Sequence, residues 1–185
     1  MELLAPAGSR QALTAAVQSG ADAVYLGGPQ FGARYSAENF TIEEMKTWVD
    51  YCHLYGVDVH VTVNTLVKEK EIESLKEYLK QLNEIGVDAL IVQDMGAVEI
   101  IKKTVPDMTL HASTQMTVTS LEGVKYLEDM GFSRVVLARE LSEKEIEHIC
   151  KNAKAEIEVF VHGAICMCYS GQCLMSSILG GRSGN

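Results

Sequence analysis

The sequence predicts an α/β fold in which parallel strands alternate with covering helices and curl toward a (β/α) barrel. Three observations carry that expectation. A short pattern recurs four times, as Gly20-Ala21-Asp22, Gly56-Val57-Asp58, Gly86-Val87-Asp88 and Gly131-Phe132-Ser133, each leading into an apolar run rich in β-branched residues. Every copy follows an amphipathic stretch, so it reads as a helix end, a left-handed glycine and a short turn into a buried strand. Capping sequences mark the helix starts in between, and polar residues gather where the strands should end.

Taken in order, strands are expected at Glu2–Pro6, Ala23–Gly27, Val57–Asn64, Ala89–Asp94, Thr109–Ser113, Arg134–Ala138 and Glu156–His162. Thr41 with Glu44 and Ser142 with Glu145 form capping boxes, and Thr119 with Glu122 is a third candidate. Phe40 with Met45 and Leu141 with Ile146 can staple the first two of these helices. Repeat glycines 36, 30 and 45 residues apart leave room for one or two strand–helix units each, which means parallel strands with helical crossovers. No Gly-x-Gly-x-x-Gly turn follows the first strand, so a TIM-barrel-like (β/α) barrel is preferred to an open doubly wound sheet. The seventh strand ends near residue 163 and a glycine-rich tail follows. Residues 1–185 therefore read as a single barrel domain, incomplete at its C-terminus, from a longer protein.

Composition narrows the class. A chain of 185 residues with 47% hydrophobic and 22% charged residues can bury one real core. No apolar run approaches the roughly 20 residues of a membrane span, and the acidic start Met1-Glu2 is unlike an export signal. A cytoplasmic protein with reduced thiols is expected. The net charge of −9 makes this piece by itself a poor generic match for nucleic acid.

Strand parity separates two faces. Val57, Val59, Val61 and Val63 alternate with Asp58, His60, Thr62 and Asn64, and Ile157, Val159 and Val161 alternate with Glu158, Phe160 and His162. The branched face should meet helices, leaving the polar set inside, where His60 and Glu158 need partners. Strand ends supply a polar rim. Its substrate-binding candidates are Asn64, Gln93, Asp94, Ser113 and Arg139, and its catalytic candidates are His111, Gln115, Arg139, Glu140 and His162. His111, Gln115 and Arg139 combine hydrogen-bond donors with a fixed positive charge suited to a small anion. Cys52 and Cys150 fall in helices and read as small buried apolar residues. Cys166, Cys168 and Cys173 crowd one glycine-containing loop, which suits a metal or iron–sulfur site or a thiol nucleophile.

That loop carries a resemblance. Glu158-x-Phe160-x-x-Gly163-Ala164-Ile165-Cys166, followed by Gly171-x-Cys173-x-Met175-Ser176, resembles the signature of peptidase family U32, the collagenase-like group. Glu2–Gly8, Ala21–Gly28, His111–Gln115 and Val136–Ser142 resemble it too, so the likeness covers essentially the whole chain. It implies a TIM-barrel-like catalytic domain and two readings of function. One is oxygen-independent hydroxylation of transfer or ribosomal RNA (a ubiquinone ring in some relatives), with prephenate as hydroxyl source and a [4Fe-4S] cluster. The other is a collagenase-like peptidase acting on a protein substrate. A non-catalytic subunit of a hetero- or homo-oligomer is a third expectation. By resemblance Cys166 and Cys173 take the first two cluster-ligand positions. Cys168 is a further candidate, and the remaining two ligands would follow a segment like Gly181–Asn185.

Overall fold

A computed structural model describes residues 1–33, 39–163 and 168–173. The chain divides into two compact units, Met1–Met108 and Thr109–Asn185, each described by itself. The first unit runs β1 (Leu4–Pro6), α1 (Arg10–Gln18), β2 (Ala23–Gly27), α2 (Ile42–Leu54), β3 (Asp58–Val63), α3 (Ile72–Ile85), β4 (Ala89–Val92) and α4 (Met95–Thr104). The second runs β5 (Thr109–Ala112), α5 (Leu121–Asp129), β6 (Arg134–Val136), α6 (Glu143–Asn152) and β7 (Glu156–Glu158). Within each unit consecutive strands pair in parallel, as the repeat predicts.

The repeat now has a physical account. All four glycines adopt positive φ, between 69° and 85°, which ends each helix without the steric cost a side chain would bring. The residue two places on then ties the next strand to the one before it. Asp22 Oδ2 accepts the N–H of Leu3 at 2.7 Å, and Asp88 Oδ2 accepts the N–H of Val59 at 2.7 Å. In the second unit Ser133 Oγ donates instead, to the carbonyl of Leu110 at 3.2 Å. One local signature therefore closes the helix and sets strand register.

Strand parity holds in β3. Val59, Val61 and Val63 are wholly buried, while the other face aligns Tyr25, His60 and Ala89 in one row and Gly27, Thr62 and Ile91 in the next. His60 is itself buried at 3% exposure. The Thr41–Glu44 and Ser142–Glu145 capping boxes form as expected. The third does not. Ser120, not Thr119, is the cap, and it accepts from the N–H of Gly123 with no reciprocal glutamate, because the third helical position is glycine.

Two further corrections concern the second unit. β7 stops at Glu158 rather than His162, and Val159, Phe160 and Val161 are exposed, Val161 by 85%. Only β6 pairs with β7 among the described residues, and Val159 and Val161 lie past its end, so of the apolar face assigned to it only Ile157, half-buried, falls within the strand. Cys150 is exposed on α6, whereas Cys52 is buried on α2 as expected. Burial pushes the Cys52 thiol up to about 11, with the Asp88 charge adding to the rise, so it stays an inert thiol.

The polar network expected around Glu158 is an ion cluster. His111, Arg134 and Glu156 lie in register across β5, β6 and β7. Arg134, 8% exposed, grips Glu156 Oε2 through Nε at 2.9 Å and Nη2 at 2.5 Å, and its Nη1 lies 3.7 Å from Glu158 Oε2.

Candidate functional site

The site is built at the C-terminal ends of β5 and β6. Past β5 the backbone makes one 3₁₀ turn, Thr114–Met116, capped by Ser113, whose Oγ accepts the N–H of Gln115 at 3.2 Å. The turn ends at Thr117 with φ 56° and ψ 49°. A β-branched residue in that left-handed region is strained by about 1–3 kcal/mol, and such strain persists where surroundings demand it. The demand is visible: the Thr117 hydroxyl donates to the carbonyl of Ser170 at 2.6 Å.

β6 supplies the opposite jaw. The N–H of Leu137 donates to Glu158 and that of Ala138 to Val118, both at 3.0 Å, which fixes the segment entering Arg139-Glu140. Glu140 Oε1 accepts the N–H of Ser170 at 2.7 Å, and its Oε2 accepts the Ser170 hydroxyl at 3.1 Å. Arg139 donates to Ser170 Oγ from its backbone N–H at 3.3 Å and from Nε at 3.4 Å. Partial desolvation raises the Glu140 carboxyl's pKa. The bonds from Ser170 and from its own backbone, with Arg139 nearby, outweigh that and hold it below the usual glutamate range.

Ser170 is completely buried in this grip. Gly171 follows with φ 71°, and a methyl group on its Cα would overlap the carbonyl oxygen of Gln115 and approach Thr117 Oγ1 to 2.9 Å. Only glycine serves there, for conformation and for space. The turn Cys168–Cys173, with a half-buried cysteine at each end, is thereby seated on the ends of β5 and β6.

The rim candidates separate by role. Ser113, Gln115, Arg139 and Glu140 come together around this turn, Gln115 through its main-chain carbonyl. His111 lies within β5 at 4% exposure, and His162 is exposed beyond the end of β7. Cys166 lies outside the described residues. In the first unit Asn64 Oδ1 accepts the N–H of Ala33 at 3.0 Å, and Gln93 is half-buried. Asp94 caps α4 by accepting from Ala97 at 3.0 Å and also accepts from Val67 at 2.9 Å. With both oxygens so engaged, Asp94→Ala is expected to cost about 1–2 kcal/mol, and Asp94→Asn, which keeps the cap acceptor, much less. Urea unfolding of the two variants checks this.

Thr117 and Ser170 were not signalled as site residues, and Gly171 stood out only within the Gly171-x-Cys173 pattern. For Ser170 the hint is its place, with Gly171, between two cysteines. The first unit also holds a cleft of about 470 Å³ lined by Ser9, Arg10, Asn39 and Glu44, in which Arg10 pairs with Glu44.

A four-iron cluster takes four thiolates. No group of three or more potential ligands converges among the described residues, so the seated turn offers the right donor type but, with Cys168 and Cys173, only two thiols. The model of the family described as Peptidase family U32 matches residues 8–185. The chain belongs to peptidase family U32. This U32 chain is 45% identical to the 23S rRNA 5-hydroxycytidine C2501 synthase of Escherichia coli, over all of this chain and 28% of that protein. It is 40% identical to tRNA hydroxylation protein P1 of Bacillus subtilis, over all of this chain and 44% of that protein. It therefore spans less than half the length of either. Among solved structures it resembles the U32 peptidase Mk0906, with TM-score 0.73 at 24% identity, covering 90% of this chain and 71% of that one. The fold is TIM-barrel-like, with seven strands among the described residues. No helix among the described residues is long and apolar enough to cross a membrane.

Proposed function

We propose that this U32 domain is part of an enzyme that hydroxylates a base of transfer or ribosomal RNA in the cytoplasm, using an iron–sulfur cluster and prephenate. The observation that carries the reading is the likeness, over the entire chain, to two proteins named for RNA hydroxylation. The seated cysteine turn supports it, because a cofactor beside a TIM-type strand rim sits where this fold carries out chemistry. Cys166 and Cys173 would be ligands, with two more from outside this chain. When bound, the cluster supplies one-electron redox chemistry that no side chain here provides.

The chain's own residues do the positioning. Arg139 is exposed, and beyond its Nε contact its guanidinium presents further N–H donors that can hold a carboxylate of the co-substrate. Ser170 and Glu140 keep that arginine's backbone fixed. A net charge of −9 leaves phosphate contacts to the rest of the protein. Deleting the full-length gene and profiling nucleosides of ribosomal and transfer RNA by mass spectrometry tests the reading, with loss of one hydroxylated nucleoside expected. An unchanged profile, together with peptide cleavage by the purified protein, establishes the peptidase instead.

A further inference from the structure

We propose that Glu140 and Thr117 are positioning residues for the cysteine-bearing turn Cys168–Cys173, clamping Ser170 from both sides so that the two thiols are presented in one fixed geometry. Three observations carry this. The main-chain N–H and carbonyl of Ser170 are each taken by a side chain of a different strand end, Glu140 at 2.7 Å and Thr117 at 2.6 Å. Ser170 has no exposure at all although its neighbour Tyr169 is 71% exposed, so the buried part of the turn is the residue that is clamped. Thr117 holds a backbone conformation that suits glycine or asparagine far better, and its hydroxyl is what the strain retains.

A turn that needed only to be covered would not require such a pair. Metal ligands are ordinarily oriented by a second layer of hydrogen bonds, and by fixing the Ser170 backbone between the two cysteines Glu140 and Thr117 would serve that purpose indirectly for a thiophilic centre held on this turn. The inference deepens the reading of Cys173 as a cluster ligand and rests on it for the identity of the centre. The clamp itself is tested without any cofactor.

The experiment uses the full-length protein. In the cofactor-free form, iodoacetamide labelling of Cys168 and Cys173 is followed by peptide mass spectrometry, with the exposed Cys150 as internal reference. Glu140→Ala, Thr117→Val and Thr117→Gly are each expected to speed labelling of the turn at least fivefold relative to Cys150, and Glu140→Gln, which keeps an acceptor for the Ser170 N–H, to stay within twofold of wild type. Thr117→Gly separates positioning from stability, because it relieves the left-handed strain and should leave the unfolding midpoint unchanged or raised. Labelling within twofold of wild type in Glu140→Ala and Thr117→Gly overturns the proposal. Anaerobic reconstitution with ferrous iron and sulfide, read by visible absorption and electron paramagnetic resonance, then addresses the centre. A wild type that takes up no chromophore defeats the cluster reading, while the labelling result alone decides the clamp. A chromophore that forms in wild type and Glu140→Gln but is altered in Glu140→Ala extends the clamp to the centre.

Discussion

Replacing Arg134 by alanine is expected to destabilise the protein by about 3 kcal/mol, the lower end of what breaking one side of a buried ion pair costs. The guanidinium is nearly buried and grips Glu156 with two nitrogens, while Glu158 is 3.7 Å away and only 19% exposed in its side chain. Glu156, 66% exposed, loses little when the arginine goes, since water replaces it. Glu158 is the residue left with a poorly solvated charge. The cost should therefore depend on Glu158 and hardly on Glu156. In equilibrium urea unfolding, Arg134→Met with Glu158→Leu should recover at least half of the loss, because an apolar pair of similar volume often matches a buried ion pair. Arg134→Met with Glu156→Leu should recover much less. A single variant within about 0.5 kcal/mol of wild type, the range of an ordinary surface change, would show that the cluster is solvated and contributes little.

That cluster was legible only in part. Alternation along Glu156–His162 placed Glu158 on the polar face and gave it a need for a partner, but nothing local names Arg134, 24 residues earlier, as that partner. The same division runs through the molecule. Gly20, Gly56, Gly86 and Gly131 were legible because a left-handed helix end is decided within five residues, and the strands after them because each is rich in β-branched or other apolar residues, continuous in β4 and alternating with polar ones in β3. The end of β7 was not legible, since period-two alternation continues through Val161 whether or not a neighbouring strand is there to pair with it. Likewise Ser120 displaced Thr119 as the cap because both residues carry a suitable hydroxyl, and backbone geometry chooses between them.

The site shows the limit most clearly. Arg139 and Glu140 stood out as charges at a strand end, and the structure does use both at one place. Gln115 stood out for its amide, yet what seats Gly171 is its main-chain carbonyl, an atom every residue has. Ser170 meets Glu140 across 30 residues and Thr117 across 53, distances over which no periodicity carries information. Side-chain chemistry at the strand ends could be read from the sequence. Clamping of backbone by side chain could not.

Gly28→Ala is expected to cost about 2–3 kcal/mol, and Tyr78→Phe to remove most of that cost. A methyl group at Gly28 would overlap the Tyr78 hydroxyl and come within 2.7 Å of Met45 Cε, with Tyr78 Cζ at 3.0 Å. Tyr78 cannot swing aside, because it is 3% exposed on α3 and its ring packs at 5.8 Å, centroid to centroid, against Phe31. Its hydroxyl has no hydrogen-bond partner among the described residues, and burial pushes its pKa upward, so the group is held as a neutral phenol. An unsatisfied buried hydroxyl already costs the wild type about 1–3 kcal/mol, so Tyr78→Phe alone should be neutral or stabilising by up to ~1 kcal/mol. Deleting that oxygen also removes the atom a new methyl would strike hardest, leaving the approaches to Met45 Cε at 2.7 Å, the end of a flexible side chain, and to the ring at 3.0 Å as the residual strain. The two substitutions should thus be strongly non-additive, with a coupling energy of about 1–2 kcal/mol in a double-mutant cycle read by urea unfolding. Additive behaviour would mean that the loop after β2 moves to make room, and that the fit of Gly28 over Tyr78 is loose rather than fixed.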